Sequence, residues 1–325
     1  MPVLPLLHFG AYAASAGLDE SAEAALYKGI EALGAAGLEV PFTGKLHPRD
    51  EGWLTAQIRP DWTIVLTILP GEMDRLAKDK HFGLASADEG GRARALDFAE
   101  SARLAVERLN KSLGRAAVIA VQVHSAPRLG GSGAKSSLEK LAASLSDLRA
   151  RDWSGARLLL EHCDAAVPDH APDKGFLRIE DEVMAAKLSA GKTPLSMSIN
   201  WGRSAVETRS AAGPVSHIER AVQADLLGAL FFRGRSVPCR VRRVAGLARS
   251  VLDVIAGVPA DAPGRARGPR GGGPAADRGP QTADQARRPE RGGTSRRDLR
   301  GRRGSRPIAV AGLGPSGPRR GRRRM

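Results

Sequence analysis

The sequence predicts an α/β fold, a (β/α)8 TIM barrel whose eighth strand is missing, and three observations carry that prediction. Residues 1–232 contain seven short apolar runs, each followed by a loop and a stretch with helical spacing. Strands joined through helices run parallel, because each crossover returns the chain to the same end of the sheet. Seven such units exceed the roughly five or six strands of a doubly wound sheet and approach the eight of a barrel.

The strand candidates are, in order, LLHFGAYA (6–13), GLEVPF (37–42), TIVLTILPG (63–71), AVIAVQVHSAP (117–127), RLLLEHCD (157–164), PLSMSINWG (194–202) and LLGALFF (226–232). The first lies in an apolar N-terminus that lacks the basic start of a secretion signal and is broken by Pro5 and His8, so it reads as a strand. Helical stretches fill the gaps. SAEAALYKGIEALGAAG opens with Ser21 as its predicted cap, EGGRARALDFAESARLAVERLNKSLG is long and charged on one face, and SSLEKLAASLSDLRARD and IEDEVMAAKLSAG follow. Within the strands, side chains alternate between two faces. Ser196, Ser198 and Asn200 share one face opposite Leu195, Met197 and Ile199, and Gln122 shares a face with His124. Barrel enzymes keep their chemistry at the C-terminal ends of the strands. Glu39, Thr67, His124, Glu161 and Asn200 are therefore expected on one rim.

The net charge of +15 is confined to one end of the chain. From Arg233 to Met325 there are 24 Arg, no Lys and 6 acidic residues, a net of +18, which leaves residues 1–232 with 26 basic and 29 acidic residues, a net of −3. The basic segment also lacks Asn, His, Phe, Tyr and Trp. That composition predicts a disordered Arg/Gly/Pro-rich tail, 233–325, beside a barrel-like domain, 1–232. Two origins compete for the tail. It reads as GC-rich DNA translated out of frame from about residues 228–236, or as an arm that binds nucleic acid through its charge. The stretch RVRRVAGLARSVLDVIAGV within it has the pattern of a short helix. A barrel without its eighth strand leaves two open edges and predicts poor stability. Two unrelated cysteines, Cys163 and Cys239, give no disulfide framework, and no apolar run reaches the roughly 18 residues of a membrane span. A cytoplasmic protein with no membrane partner is expected.

The phrases GLEVPFTG, VHSAP, LLLEHCD and SINWGRSAVE resemble a bacterial family, domain of unknown function 4862, similar in turn to xylose-isomerase-like TIM barrels of the sugar isomerase/epimerase group. The resemblance covers roughly residues 9–232. It implies an isomerase or epimerase acting on a small polar, sugar-like molecule, with a divalent metal (Mn2+, Mg2+ or Zn2+) held by carboxylates and a His on strands five to eight. Glu161 matches the first carboxylate. Strand six offers Asn200 where the group has an Asp, and strand seven offers no His.

The residues themselves leave alternatives open. Glu161 and His124 are the candidate catalytic pair, as metal ligand or proton-transfer groups. Glu161 is otherwise a structural ion pair, for instance to Arg203, and His124 a histidine bonded to a backbone carbonyl. Glu161 and His162 are the candidate metal ligands, although alternation turns His162 the other way. Cys163 is a candidate nucleophile or a packing group. Asn200, Trp201, Arg203 and Glu207, on the loop after strand six, and Glu39 are candidate substrate contacts, with Arg203 suited to a carboxylate or phosphate and Trp201 to a sugar ring. Glu207 is otherwise tied to Arg203 or to a helix N-terminus. The loop RLGGSGAKSS has Ala134 where a phosphate loop needs Gly, so Ser136 or Ser137 is expected to cap the next helix. A metal-free hydrolase or lyase on the same barrel, and a non-enzymatic protein binding nucleic acid through its tail, are the other readings.

Overall fold

The computed structural model describes residues 6–130, 133–210, 212–233 and 308–312. Eight parallel strands close into a barrel in chain order: β1 (Leu6–Gly10), β2 (Gly37–Pro41), β3 (Thr63–Thr67), β4 (Val118–Val123), β5 (Arg157–His162), β6 (Leu195–Asn200), β7 (Leu227–Arg233) and β8 (Ile308–Gly312). All seven predicted strands are present. The eighth is present too, which corrects the expectation of a missing strand. β8 comes from the Arg-rich segment, where IAVAG is a short β-prone apolar run. It pairs Leu6 with Ile308 on one side and Ala229 with Ile308 on the other, so the backbone groups of β1 and β7 find partners. The rest of the predicted tail, including its candidate helix, lies outside the described residues.

Between the strands lie the helices α1 (Tyr12–Ser15), α2 (Glu20–Ala32), α3 (Glu51–Gln57), α4 (Leu69–Leu76), α5 (Glu89–Leu113), α6 (Leu138–Arg149), α7 (Ile179–Leu188), α8 (Trp201–Thr208) and α9 (Gly213–Gln223). Asp19 rather than Ser21 caps α2, its carboxylate accepting from the Ala22 amide at 2.8 Å. The long α5 starts on an Asp88 cap and stops at Gly114, whose φ of 65° lets the chain leave the helix. Ser137 caps α6 as expected. Two predicted irregular or strand segments are helical. The end of TIVLTILPG turns into α4, with Pro70 in its first turn, and the loop expected after β6 is α8.

Strand alternation sorts the core into two shells. Val65, Ala120, Leu159, Ala229 and Phe231 pack inside the barrel. Their neighbours Ile64, Leu66, Val121, Leu158, Leu160, Met197 and Ile199 are buried on the opposite face. The apolar inner layer fills the lower barrel, so polar inward residues near the strand ends face one another above it.

Candidate functional site

The C-terminal mouth of the barrel holds a chain of buried acid and base groups. Glu161, next to last in β5, faces inward, and His124 follows the end of β4 on the same side. His124 Nε2 lies 2.9 Å from Glu161 Oε2, and its Nδ1 lies 2.5 Å from Oε2 of Glu72 in the first turn of α4. Gln122 Nε2 donates to Glu161 Oε2 at 3.1 Å, and Asn200 Nδ2 donates to Glu161 Oε1 at 2.8 Å. Asn200 also caps α8, its Oδ1 accepting from the Arg203 amide. One side chain thus fixes both a helix start and the catalytic candidate.

Burial works against charge on His124, but Glu72 and Glu161 on its two sides outweigh it and raise its pKa to about 10. Burial pushes Glu161 up, yet the hydrogen bond and charge of His124, aided by Asn200, bring it below the usual carboxylate range. Glu39, near the end of β2, behaves oppositely. Burial and then the negative charge of Glu161 raise its pKa well above the usual value, against a smaller pull from His124. Glu39 and Gly10 are neighbours: a Cβ on Gly10 would stand 2.3 Å from Glu39 Oε2, so only glycine leaves room for that carboxyl. Thr67 Oγ1, Glu72 Oε1 and Gln122 Oε1 are buried with no hydrogen-bond partner among the described residues.

A cavity of about 280 Å³ opens beside this chain, lined by Tyr12, Glu39, Thr43, Lys45, His47 and Arg49 among others. Glu39 is the member of the acid/base chain that reaches it; Glu161 and His124 stand behind and are not lining residues. His47 and Arg49 are held by the buried Glu23, at 3.2 and 2.9 Å.

Of the expected rim residues, Glu39, His124, Glu161 and Asn200 share one interacting group. Trp201 instead stacks on Phe232, with ring centroids 6.0 Å apart. Arg203 pairs with Asp173 at 2.7 Å and lies 3.6 Å from Asp164, not in an ion pair with Glu161. Cys163 packs against Leu69, Ala126 and Phe176, and burial pushes its thiol up, which suits the packing role. Two expectations need correction. Glu207 does not join the hydrogen-bonded group at the mouth: its carboxylate accepts from the Ala165 amide at 2.9 Å and meets His162 at 3.1 Å. Glu161 and His162 do not converge on one ion, because successive residues of a strand face opposite sides. His162 points into the helix layer, toward Glu182 of α7, Glu207 of α8 and His217 of α9. Glu72 was not legible as a site residue because LPGE reads as the end of a strand; Pro70 ahead of an acidic residue was the helix-start signal available.

Among the described residues, two groups bring ligand atoms within 4.8 Å of one another: His124, Glu161 and Cys163, and His162, Glu207 and His217. The first does not fit the metal that the family resemblance implies. Beside His124 and Glu161 its third member is Cys163, which packs among apolar side chains with its thiol pushed up by burial and so is poorly placed to give a thiolate. Both oxygens of Glu161 already accept hydrogen bonds, β6 supplies the amide of Asn200, and β7 points Ala229 and Phe231 inward. The mouth is arranged to hold a proton.

A family model described as Domain of unknown function (DUF4862) matches residues 9–238. The chain belongs to that family. Its match ends at Pro238, just past β7. An uncharacterized protein of Salmonella typhimurium is 35% identical over 202 residues, 62% of this chain, and the chain spans 63% of that relative's length. Among solved structures, a sugar phosphate isomerase/epimerase from Parabacteroides distasonis is similar, with 11% identity, a TM-score of 0.45, and 77% of this chain and 86% of that one covered. D-Allulose 3-epimerase from Methylomonas sp. gives 13% identity, a TM-score of 0.44, and coverage of 77% and 83%. Endonuclease IV from Thermus thermophilus gives 16%, 0.38, and 65% and 72%. No helix among the described residues is long and apolar enough to cross a membrane.

Proposed function

We propose that this protein is a metal-free isomerase or epimerase that moves a proton within a small, polar, sugar-like carbonyl compound. The observation that carries the reading is Glu39, a buried acidic residue that lines a cavity and stands beside the hydrogen-bonded Glu161–His124–Glu72 chain. Two carboxyls whose surroundings separate their proton affinities are the arrangement acid/base chemistry requires. Glu39, which holds its proton more tightly than an ordinary carboxyl, gives it to the carbonyl oxygen of a molecule in the cavity. The carboxylate left beside Glu161 is strongly basic and takes the proton from the adjacent carbon, leaving an enol and a reprotonated Glu39. Returning a proton to the other face, or to the neighbouring carbon, completes epimerisation or isomerisation. Lys45 and Tyr12 offer polar contacts in the same cavity, whose volume suits a molecule of monosaccharide size.

The test is to incubate the full chain with aldoses, ketoses and their phosphates in D2O and follow carbon-bound protons by NMR. Exchange next to the carbonyl is expected, reduced by about a hundredfold or more in Glu39→Gln. No exchange across the panel, or exchange undiminished in Glu39→Gln, would overturn the reading.

A further inference from the structure

The second ligand cluster lies outside the barrel, where the proposed proton chemistry has no use for it. His162 at the end of β5, Glu207 on α8 and His217 on α9 meet behind the strand. His162 Nε2 is 3.1 Å from Glu207 Oε2, and His217 Nε2 is 3.7 Å from Glu207 Oε1. The two rings meet edge to face, with centroids 4.7 Å apart. Each ring is also held at its far nitrogen. His162 Nδ1 lies 2.7 Å from Glu182 Oε2, and His217 Nδ1 lies 3.0 Å from Ser204 Oγ. Glu182 is steadied in turn by the Ser125 hydroxyl, which donates to its Oε1 at 2.5 Å.

We infer that His162, Glu207 and His217 form a binding site for one divalent transition-metal ion of the zinc class, with Glu182 and Ser204 orienting the two histidines. A histidine that gives its Nδ1 proton to a carboxylate or hydroxyl presents a bare lone pair at Nε2. Here both Nε2 atoms face the same carboxylate, and a cation among the three takes a lone pair from each ring in place of any proton held there, while the far nitrogens keep their bonds to Glu182 and Ser204. Carboxylate–histidine–metal triads have this form. The charges agree. Glu182 and Glu207 bring two negative charges into a nearly closed site, and a divalent ion on neutral imidazoles balances both. Two imidazole nitrogens and one carboxylate suit zinc-class ions, whereas magnesium and calcium prefer oxygen ligands throughout. Glu207 and His217 keep about a tenth of their side-chain surface exposed, at 10% and 8%, which leaves an edge for a solvent ligand in the fourth position. The ion ties β5, α8 and α9 together and does not depend on the reading of the mouth.

The test uses the untagged full chain, stripped with a chelator and titrated with Zn2+ by calorimetry and with Co2+ by visible absorption. One equivalent should bind, with the spectrum of four-coordinate cobalt and a raised Tm. His217→Gln and Glu207→Gln should each weaken binding at least tenfold, and the orienting change Ser204→Ala about tenfold. Glu161→Gln should bind as the unaltered chain does. Failure of the stripped chain to bind either ion would overturn the proposal. So would binding unaffected by His217→Gln and Glu207→Gln in folded variants, or binding lost in Glu161→Gln.

Discussion

Glu161 is held from three sides, by His124, Gln122 and Asn200, and its negative charge adds to burial in raising the proton affinity of Glu39. Glu161→Gln preserves the shape and removes the charge. Proton exchange on sugars should therefore fall by about a hundredfold, with the pH profile moving toward acid as Glu39 loses its neighbour's repulsion. Unchanged rate and profile in that variant would show that Glu161 does not govern Glu39. The opposite roles of Glu161 and His162 were legible from strand alternation alone, since a residue step reverses the face. Glu39 as the group at the cavity wall was less legible. A carboxyl near a strand end reveals burial, but not which of several inward carboxyls a cavity reaches.

Asn200 joins the end of β6 to the start of α8 and so couples an element to the site. Asn200→Ala removes the cap, costing about 1 kcal/mol, and also the bond to Glu161. Asn200→Ser restores a capping hydroxyl but cannot reach as the amide does. The Ser variant should regain most of the lost Tm and little of the activity; if both return together, the Glu161 contact is not what matters. β1 carries a different sensitivity. His8 is buried, bonded to Thr63 Oγ1 at 2.7 Å, and burial lowers its pKa to about 4. The unfolded chain, with an ordinary value near 6.5, then binds the extra proton first. His8 should cost the fold up to about 3 kcal/mol as pH falls from 6.5 toward 4. His8→Gln should flatten that acid-side loss in thermal melts, and an equally steep loss would assign it to other groups. All seven strands of the N-terminal domain were readable from their apolar runs. The short helices α1 and α3 were not, because four and seven residues are too few to establish a 3.6-residue period.

Closure of the barrel is a property of the whole chain. Composition set the Arg-rich segment apart, and that contrast concealed IAVAG within it, a strand recognisable only beside the two edges it joins. Removing residues 306–325 should leave β1 and β7 with unpaired backbone groups, giving a lower Tm or aggregation in light scattering. A truncated chain as soluble and as stable as the full one would show that β8 does not hold the barrel shut. The proton affinity of Glu39 belongs to this scale as well, because burial within the closed barrel and the charge of Glu161 on β5 raise it against the smaller pull of His124 after β4. The measurement that tests the account most directly is infrared difference spectroscopy of the full chain against Glu39→Gln across the pH range. The account predicts the carbonyl stretch of a protonated carboxylic acid at neutral pH, present in the full chain and absent from the variant, disappearing only at alkaline pH. A Glu39 that is already ionised at neutral pH would contradict it.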